Sequence, residues 1–180
     1  MNRLHQAWIW LRRMGHCRGF GIQSPSDYRL VRYVINEHWP YYAYDEIGRN
    51  DDRLHRKLGQ LYFRLANDLQ PDTIVDLLGY EDYLHAGCHK ATIIHHPPST
   101  ILLPPSTIHH PPLTLAPATA DISSLIGNCQ TLVVEGIAQQ PDSWRTIIHD
   151  ERATVTFDLY YCGIAFFVPS RTKQHYIINF

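Results

Sequence analysis

An acidic residue and a glycine stand close together at the end of a short apolar stretch. Residues Thr73–Leu78 predict a buried β-strand, with Asp76 near its end and Gly79 directly after it. An α/β nucleotide-binding fold places its first cofactor loop here, because a glycine lets a ligand approach bare backbone. This spacing therefore predicts a candidate cofactor loop after the first strand.

Two histidine pairs supply a second set of chemically active side chains. His95-His96 and His109-His110 are fourteen residues apart, and imidazole is a common ligand of zinc, copper and nickel. Neighbouring residues in a strand point to opposite faces, so each pair would offer one ligand. Between them, Leu102-Leu103 stands at the matching position of a repeated sequence. Leucine can therefore replace histidine there, which favours a structural role for the pairs over a metal-binding one. A metal-binding module stays open as an alternative, and we assign no metal ligands.

The first 70 residues predict helices. Asn2–Met14 has apolar residues at helical spacing, and we expect that apolar face to pack inward and leave the arginines in solvent. A basic arm for RNA or a membrane surface is the alternative. Ser24 and Pro25 are typical of a helix start. Asp51–Leu69 is the most regular predicted helix, and Pro71 ends it.

An aromatic connector separates two of these helices. Tyr41, Tyr42 and Tyr44 follow Trp39-Pro40 within a few residues. Three tyrosines within four residues either line a pocket or pack against the body with their hydroxyl groups in water. The sequence leaves both interpretations open.

The remainder of the chain predicts a sheet with helices. A helix that leads directly into a buried strand is typical of an α/β protein. Further strands are predicted at Lys90–His95, Gln130–Val134, Thr154–Tyr160, Ile164–Val168 and His175–Phe180, and helices at Glu81–Cys88, Asp121–Ile126 and Asp142–Asp150. Tyr161-Cys162-Gly163 predicts the turn of an antiparallel hairpin.

A seven-residue repeat occupies the centre of the chain. Its copies are IIHHPPS at 93–99, TILLPPS at 100–106 and TIHHPPL at 107–113, followed by a decayed TLAPAT at 114–119. Paired prolines exclude a helix and interrupt a strand ladder. We therefore predict short extended pieces joined by turns, which form either a small stacked layer or one strand with a surface loop.

Composition limits the classes of protein. A chain of 180 residues corresponds to one ordinary domain. A net charge of −1 gives no overall field to attract nucleic acid or an anionic membrane, and no apolar run approaches the roughly 20 residues of a membrane span. Four scattered cysteines without a CxxC motif indicate reduced thiols. We expect a cytoplasmic protein with neither nucleic acid nor a membrane as its partner.

Three segments resemble a known family. They are FGIQSPSDYRLVRYVINEHWPYYAY (20–44), LYFRLANDLQP (61–71) and DSWRTIIHDERATVTFDLYYCGIAFFVPSRTKQHYIINF (142–180). They are similar to bacterial (Bacteroidetes-type) class I S-adenosylmethionine-dependent methyltransferases, and the resemblance covers roughly residues 1–85 and 129–180. The family is longer, so this chain resembles a shortened copy whose centre is replaced by the repeat.

The resemblance implies an α/β fold in one compact domain. A helical N-terminal segment (1–70) would precede a reduced Rossmann-like methyltransferase sheet (71–180), with the Pro/His repeat at 93–119. An antiparallel C-terminal hairpin followed by a short terminal strand would close that sheet. The strands that this shortened copy lacks would leave the edge of a neighbouring strand exposed, and dimerisation would cover that edge.

The resemblance also implies where S-adenosylmethionine would bind. Asp76, Gly79 and Tyr80 correspond to the cofactor loop, but Leu78 stands where the family has a glycine. His95-His96 stands where the family has a carboxylate that holds both ribose hydroxyls. The loss of two charge-assisted hydrogen bonds, each worth about 1.5–3 kcal/mol, would weaken binding roughly 10²–10⁴-fold.

Three functional hypotheses follow. Glu135 corresponds to an acidic residue near the end of the family's fourth strand that often meets substrate, so it is the candidate catalytic residue; its alternative is a solvated strand-end carboxylate. We expect a degenerate, non-catalytic methyltransferase-like protein without a cofactor, which binds a protein partner or a second copy of itself. The rival is an active small methyltransferase that uses S-adenosylmethionine. The third hypothesis is the histidine-repeat metal-binding module.

Overall fold

The computed structural model describes residues 3–16, 19–95, 113–126 and 129–180. Its helices are α1 (Arg3–Arg12), α2 (Pro25–Leu30), α3 (Arg53–Leu69), α4 (Glu81–Gly87), α5 (Ile122–Ile126) and α6 (Pro141–His149). Its strands are β1 (Thr73–Asp76), β2 (Thr92–Ile94), β3 (Leu113–Pro117), β4 (Thr131–Glu135), β5 (Val155–Asp158), β6 (Cys162–Phe166) and β7 (Gln174–Ile177). A π-helical turn, Val31–Ile35, continues α2, and short 3-10 turns cover Met14–His16 and Tyr42–Asp45. Within these ranges no helix combines the length and the apolar character that crossing a bilayer requires.

The strands form one mixed sheet in the order β2-β1-β3-β4-β6-β5-β7. Strands β1 to β4 pair in parallel, and β6 runs antiparallel between β4 and β5. The last strand, β7, pairs in parallel with β5. The predicted α/β class is confirmed at this level, and the C-terminal hairpin is present as β5 and β6.

Helices cover both faces of the sheet. Along β4, Val133 points to the larger core, whereas Leu132 and Val134 point to the smaller one, as strand geometry requires. Helices α3 and α4 contribute to the larger core, and α5 and α6 to the smaller one. Helices α2 and α3 therefore pack against the same sheet face that carries the candidate site.

Helix α3 supports that site. Asp52 caps its start by accepting the backbone N–H groups of Leu54 and His55. Its predicted apolar face is buried in the larger core: Leu58, Leu61, Tyr62, Leu65. Gln70 adopts a left-handed conformation (φ 46°) that ends the helix before β1 begins.

Arg64, on the same helix, joins α3 to the end of the π-helical turn. Its Nε donates a hydrogen bond to the Val34 carbonyl at 2.6 Å, and its Nη2 donates to the Ile35 carbonyl at 3.3 Å. Carbonyls at the end of a helix have no partner within the helix. The buried Arg64 guanidinium supplies that partner.

The prediction that α1 packs its apolar face inward is wrong. That face is exposed: Leu4 by 77%, Trp8 by 53%, Leu11 by 59% and Met14 by 55%. Ile9 is buried instead, and Arg13 forms an ion pair with Asp158. Ile9 and Arg13 are four residues apart and share one side of the helical path. This side of α1 faces the body of the protein, because Ile9 is buried there and Arg13 pairs with Asp158.

The C-terminal hairpin turns earlier than predicted. Cys162 and Gly163, predicted as part of a turn at 161–163, begin strand β6 instead. Tyr160 takes the left-handed conformation at the turn (φ 72°). Packing requires the glycine, because a Cβ at position 163 would lie 2.5 Å from the ring of Trp144. A glycine in a strand that a ring approaches closely can be mistaken for a turn residue.

The ends of the proline repeat belong to the main sheet. Residues 93–94 lie in β2, and residues 113–117 form β3 between β1 and β4. The alternative of a separate stacked layer is therefore wrong for these residues, whereas the alternative of one strand with a surface loop concerns residues that lie largely outside the described ranges. Pro117 is the last residue of its strand, where a missing N–H disrupts the ladder least. The histidine and proline pairs of 96–112 lie outside the described residues.

Candidate functional site

Three of the predicted site residues meet at one edge of the sheet. Asp76 ends β1, Glu135 ends β4, and β3 lies between these two parallel strands. Parallel strands end at the same edge, and ligands of open α/β sheets bind there. Tyr80 reaches this edge from the loop after β1. The structure therefore brings Asp76, Tyr80 and Glu135 to one edge of the sheet.

The Asp76 carboxylate is engaged by its own loop. The side chain is only 2% exposed. One oxygen accepts the backbone N–H groups of Leu78 at 2.9 Å and Gly79 at 3.0 Å, and the other accepts the N–H of Tyr80 at 2.7 Å. These bonds hold the turn between β1 and α4. A cofactor hydroxyl would have to compete with three backbone donors for this carboxylate.

Gly79 retains one property of a cofactor loop. Its φ of +85° is a conformation that favours glycine, and a Cβ built there would meet no atom within 4 Å. The loop backbone therefore borders open space on this side.

Tyr80 fills the volume beneath the loop. Only 2% of the residue is exposed. Its ring stacks on His55 with centroids 4.2 Å apart and meets Tyr62 edge-on at 4.7 Å. Both partners lie on α3, so Tyr80 links the loop to that helix. The space in which a ligand would need bare backbone contains a tyrosine ring.

Glu135 forms hydrogen bonds with two of these tyrosines. The Tyr62 hydroxyl donates to Glu135 Oε2 at 3.1 Å, and Tyr80 also contributes a side-chain hydrogen bond. Burial raises the pKa of Glu135, while the bonds from Tyr80 and Tyr62 act to lower it. Burial also raises the pKa of the neighbouring Cys162 thiol above its ordinary value, so this thiol is not an activated nucleophile.

His95 directly follows β2 and lies at the same edge of the sheet as Asp76, because β1 and β2 pair in parallel with Val75 opposite Ile94. Its Nε2 is 3.3 Å from Oε2 of Glu81, and both side chains are about half exposed. His96, the second residue predicted at the ribose position, lies outside the described residues. Within the described ranges no group of three or more His, Cys, Asp or Glu side chains has the arrangement of a metal site.

Sequence reasoning missed Tyr62 and His55 as members of the site. Tyr62 falls on the leucine face of α3, and its hydroxyl was the available signal, because a buried tyrosine usually needs a hydrogen-bond partner. His55 gave no comparable signal. Its contact with Tyr80 depends on how α3 lies against the loop.

A second concave surface lies on the helical side of the molecule. The aromatic groove, of about 730 Å³, is lined by the tyrosines of the predicted connector together with Trp39 and Phe180. Trp39 is 70% and Tyr42 96% exposed. Lys57 Nζ lies 4.2 Å from the centre of the Phe180 ring. Both interpretations of the connector hold in part, because its tyrosines line this groove while Tyr41 and Tyr44 also pack against Phe63.

Comparison with known proteins identifies no relative: no family model, no curated protein and no solved structure matches this chain. The resemblance to class I methyltransferases therefore stays a hypothesis from the sequence. The function has to be inferred from the side chains of the sheet edge and of the aromatic groove.

Proposed function

We propose that this chain is a degenerate, non-catalytic relative of the class I methyltransferases that acts by binding another protein. The observation that carries the proposal is the packing of Tyr80 beneath the candidate cofactor loop. The strand order supports the ancestry, because an antiparallel hairpin closes the sheet as the resemblance implies. The described cysteines are free thiols, in keeping with a cytoplasmic location.

Binding of S-adenosylmethionine in this loop would require Tyr80 to leave its place. Removing a buried aromatic side chain from its contacts costs about 3–5 kcal/mol, which corresponds to roughly 10²–10⁴ in affinity. His95 adds to this loss, because a neutral imidazole has one acceptor nitrogen, whereas a carboxylate accepts from both ribose hydroxyls. Both effects weaken cofactor binding.

The aromatic groove is the surface we propose for the protein partner. Tyrosine and tryptophan are enriched in the energetically dominant parts of protein interfaces. Trp39 and Tyr42 are highly exposed here, while Tyr41 and Tyr44 pack edge-on against Phe63 and form a firm floor. Such a surface suits an apolar or aromatic side chain of a partner.

An active methyltransferase is the second candidate, favoured by one observation. Gly79 keeps a positive φ and open space beside it, so part of the loop remains accessible. An enzyme of this kind would bind S-adenosylmethionine across Gly79 and use Glu135 as its acidic residue.

Calorimetric titration with S-adenosylmethionine and with its demethylated product separates the two candidates. We expect no binding heat from the natural protein. Tyr80→Ser removes the blocking ring and should recover weak binding if that ring is the obstacle. Tyr83→Ser, which alters a nearby tyrosine on α4, is the matched control. Micromolar binding by the natural protein would overturn the non-catalytic proposal.

Photo-crosslinking from the groove tests the protein-binding role. A photoreactive phenylalanine derivative at position 42 should crosslink one defined protein in the native host, and Trp39→Ala should abolish that crosslink. The same derivative at the exposed Arg145, on α6, is the control. An absence of any adduct specific to position 42 would contradict the proposed role of the groove.

A further inference from the structure

The N-terminal helix presents its apolar side to solvent. Leu4, Trp8 and Leu11 recur at intervals of three or four residues, so they lie on one face of α1, and the exposed Met14 follows in the 3-10 turn. Ile9, on the opposite side, is buried against the body. The helix is thus held by its narrow inner side, while its wide apolar face points away from the protein.

The segment of sequence that carries this face is basic. The first 26 residues contain four of the chain's 16 basic residues and none of its 17 acidic residues. The net charge of −1 for the whole chain hides this asymmetry. Arg12 is exposed at the flank of the apolar face, with its guanidinium 4.8 Å from the centre of the Trp8 ring. Arg13 is paired with Asp158 and anchors the helix.

These features decide between three kinds of partner. A second copy of the chain would place one arginine-rich segment against another, and the repulsion would disfavour the pair. A nucleic acid would be attracted by the arginines but would leave Leu11 and Met14 without an apolar contact. An anionic lipid surface satisfies both, because apolar side chains enter the acyl boundary while arginines meet the headgroups.

We infer that α1 and the 3-10 turn after it form a membrane-surface segment that binds anionic lipid bilayers through Leu4, Trp8, Leu11 and Met14. This inference is independent of the cofactor loop. It replaces the expectation of no membrane partner, which rested on the net charge and on the lack of an apolar run long enough to span a membrane. The helix lies in the plane of the interface and does not cross the bilayer, since it has only 10 residues.

Vesicle co-sedimentation of the full chain tests the inference. We expect binding to vesicles of equal parts phosphatidylcholine and phosphatidylglycerol, little binding to pure phosphatidylcholine, and weaker binding at high salt. The double variant Trp8→Glu with Leu11→Glu should bind at least about tenfold more weakly, because it places two carboxylates in the apolar face. Tyr33→Glu changes an exposed aromatic residue outside α1 and should bind like the natural protein.

Fluorescence gives a second readout that does not depend on the charged variants. In a protein with Trp10→Phe and Trp39→Phe, the remaining tryptophans are Trp8 and the buried Trp144. Anionic vesicles should shift the Trp8 emission to the blue, and brominated lipids should quench it. Circular dichroism and thermal melts check that every variant is folded.

Several results would overturn the inference. One is an absence of binding to anionic vesicles, and another is unchanged binding by the Trp8→Glu, Leu11→Glu protein. A solution dimer that this double variant dissolves, without lipid binding, would assign the face to a second copy of the chain. Binding of RNA that depends on Trp8, again without lipid binding, would assign it to nucleic acid.

Discussion

Asp76→Asn tests whether the Asp76 carboxylate stabilises the folded protein or serves to bind a ligand. The substitution keeps the size of the side chain and one acceptor oxygen. That oxygen can still accept the N–H groups of Leu78 and Gly79. The new NH₂ group then faces the backbone N–H of Tyr80, and two donors oppose each other. The flipped amide is worse, since its NH₂ group meets two N–H groups.

The magnitude follows from these contacts. A hydrogen bond to a charged group contributes about 1.5–3 kcal/mol, and a buried donor left unpaired costs about 1–3 kcal/mol. The two terms overlap, so we expect Asp76→Asn to lower the free energy of unfolding by about 2–4 kcal/mol. For a domain of this size, 1 kcal/mol moves the melting temperature by about 2–4 °C. The expected drop is therefore about 4–16 °C.

Urea and thermal unfolding, followed by circular dichroism, measure the effect. Asp142→Asn alters an exposed aspartate in the first turn of α6 and is the matched control. A carboxylate reserved for a ligand would leave stability unchanged when it is replaced. If Asp76→Asn stays within the roughly 0.5 kcal/mol typical of surface substitutions, the three backbone hydrogen bonds of Asp76 do not stabilise the fold and its structural role is refuted.

Three further substitutions test other contacts. Arg64→Met should lower the free energy of unfolding by about 2–4 kcal/mol in urea melts, because the Val34 carbonyl and its neighbour lose a buried donor. Burial raises the pKa of Glu135 above its ordinary 4.5, so its stabilising contribution is complete below pH 4.5 and is lost as pH rises through the folded-state pKa. Glu135→Gln should therefore raise the melting temperature at pH 8 and have little effect at low pH, in melts across a pH series. Gly163→Ala should cost about 1–3 kcal/mol in urea melts through overpacking, since its Cβ would lie 2.5 Å from the Trp144 ring.

Each of these predictions has a control or a contrary result. Arg145→Met removes an exposed arginine, and Gly15→Ala adds a methyl group where no atom lies within 4 Å, so both should be nearly neutral. An unchanged Arg64→Met protein would show that water can satisfy the carbonyls. A Glu135→Gln effect of equal size at every pH would exclude ionisation as its cause. A neutral Gly163→Ala would show that the Trp144 ring can move aside.

Sequence patterns predicted those helices and strands whose own residues specify them, through periodicity or a helix cap. Helix α3 was predicted at 51–69 and runs from Arg53 to Leu69, because a long leucine periodicity and the Asp52 cap specify it. Strand β3 was not predicted, since its prolines and its likeness to the repeat concealed a buried central strand. The periodicity of α1 identified an apolar face but not the side that packs, which depends on Asp158, 145 residues from Arg13.

The site was predicted in part. The resemblance to the methyltransferases named Asp76, Tyr80 and Glu135 as site residues, and the structure places all three at one edge of the sheet. The sequence could not show that Asp76 is engaged by three backbone N–H groups, because that depends on the path of the turn. Nor could it show that Tyr62 reaches Glu135 across the core from α3.

The anchoring of α1 has a consequence for folding during synthesis. Arg13 donates to the Ile178 carbonyl, and the Asn179 side chain donates to the Trp10 carbonyl, 165 and 169 residues along the chain. At roughly 5–20 residues per second, the helix is synthesised about 8–34 s before these partners. It cannot dock until they have been made, and through that interval a membrane or a chaperone can reach both of its sides.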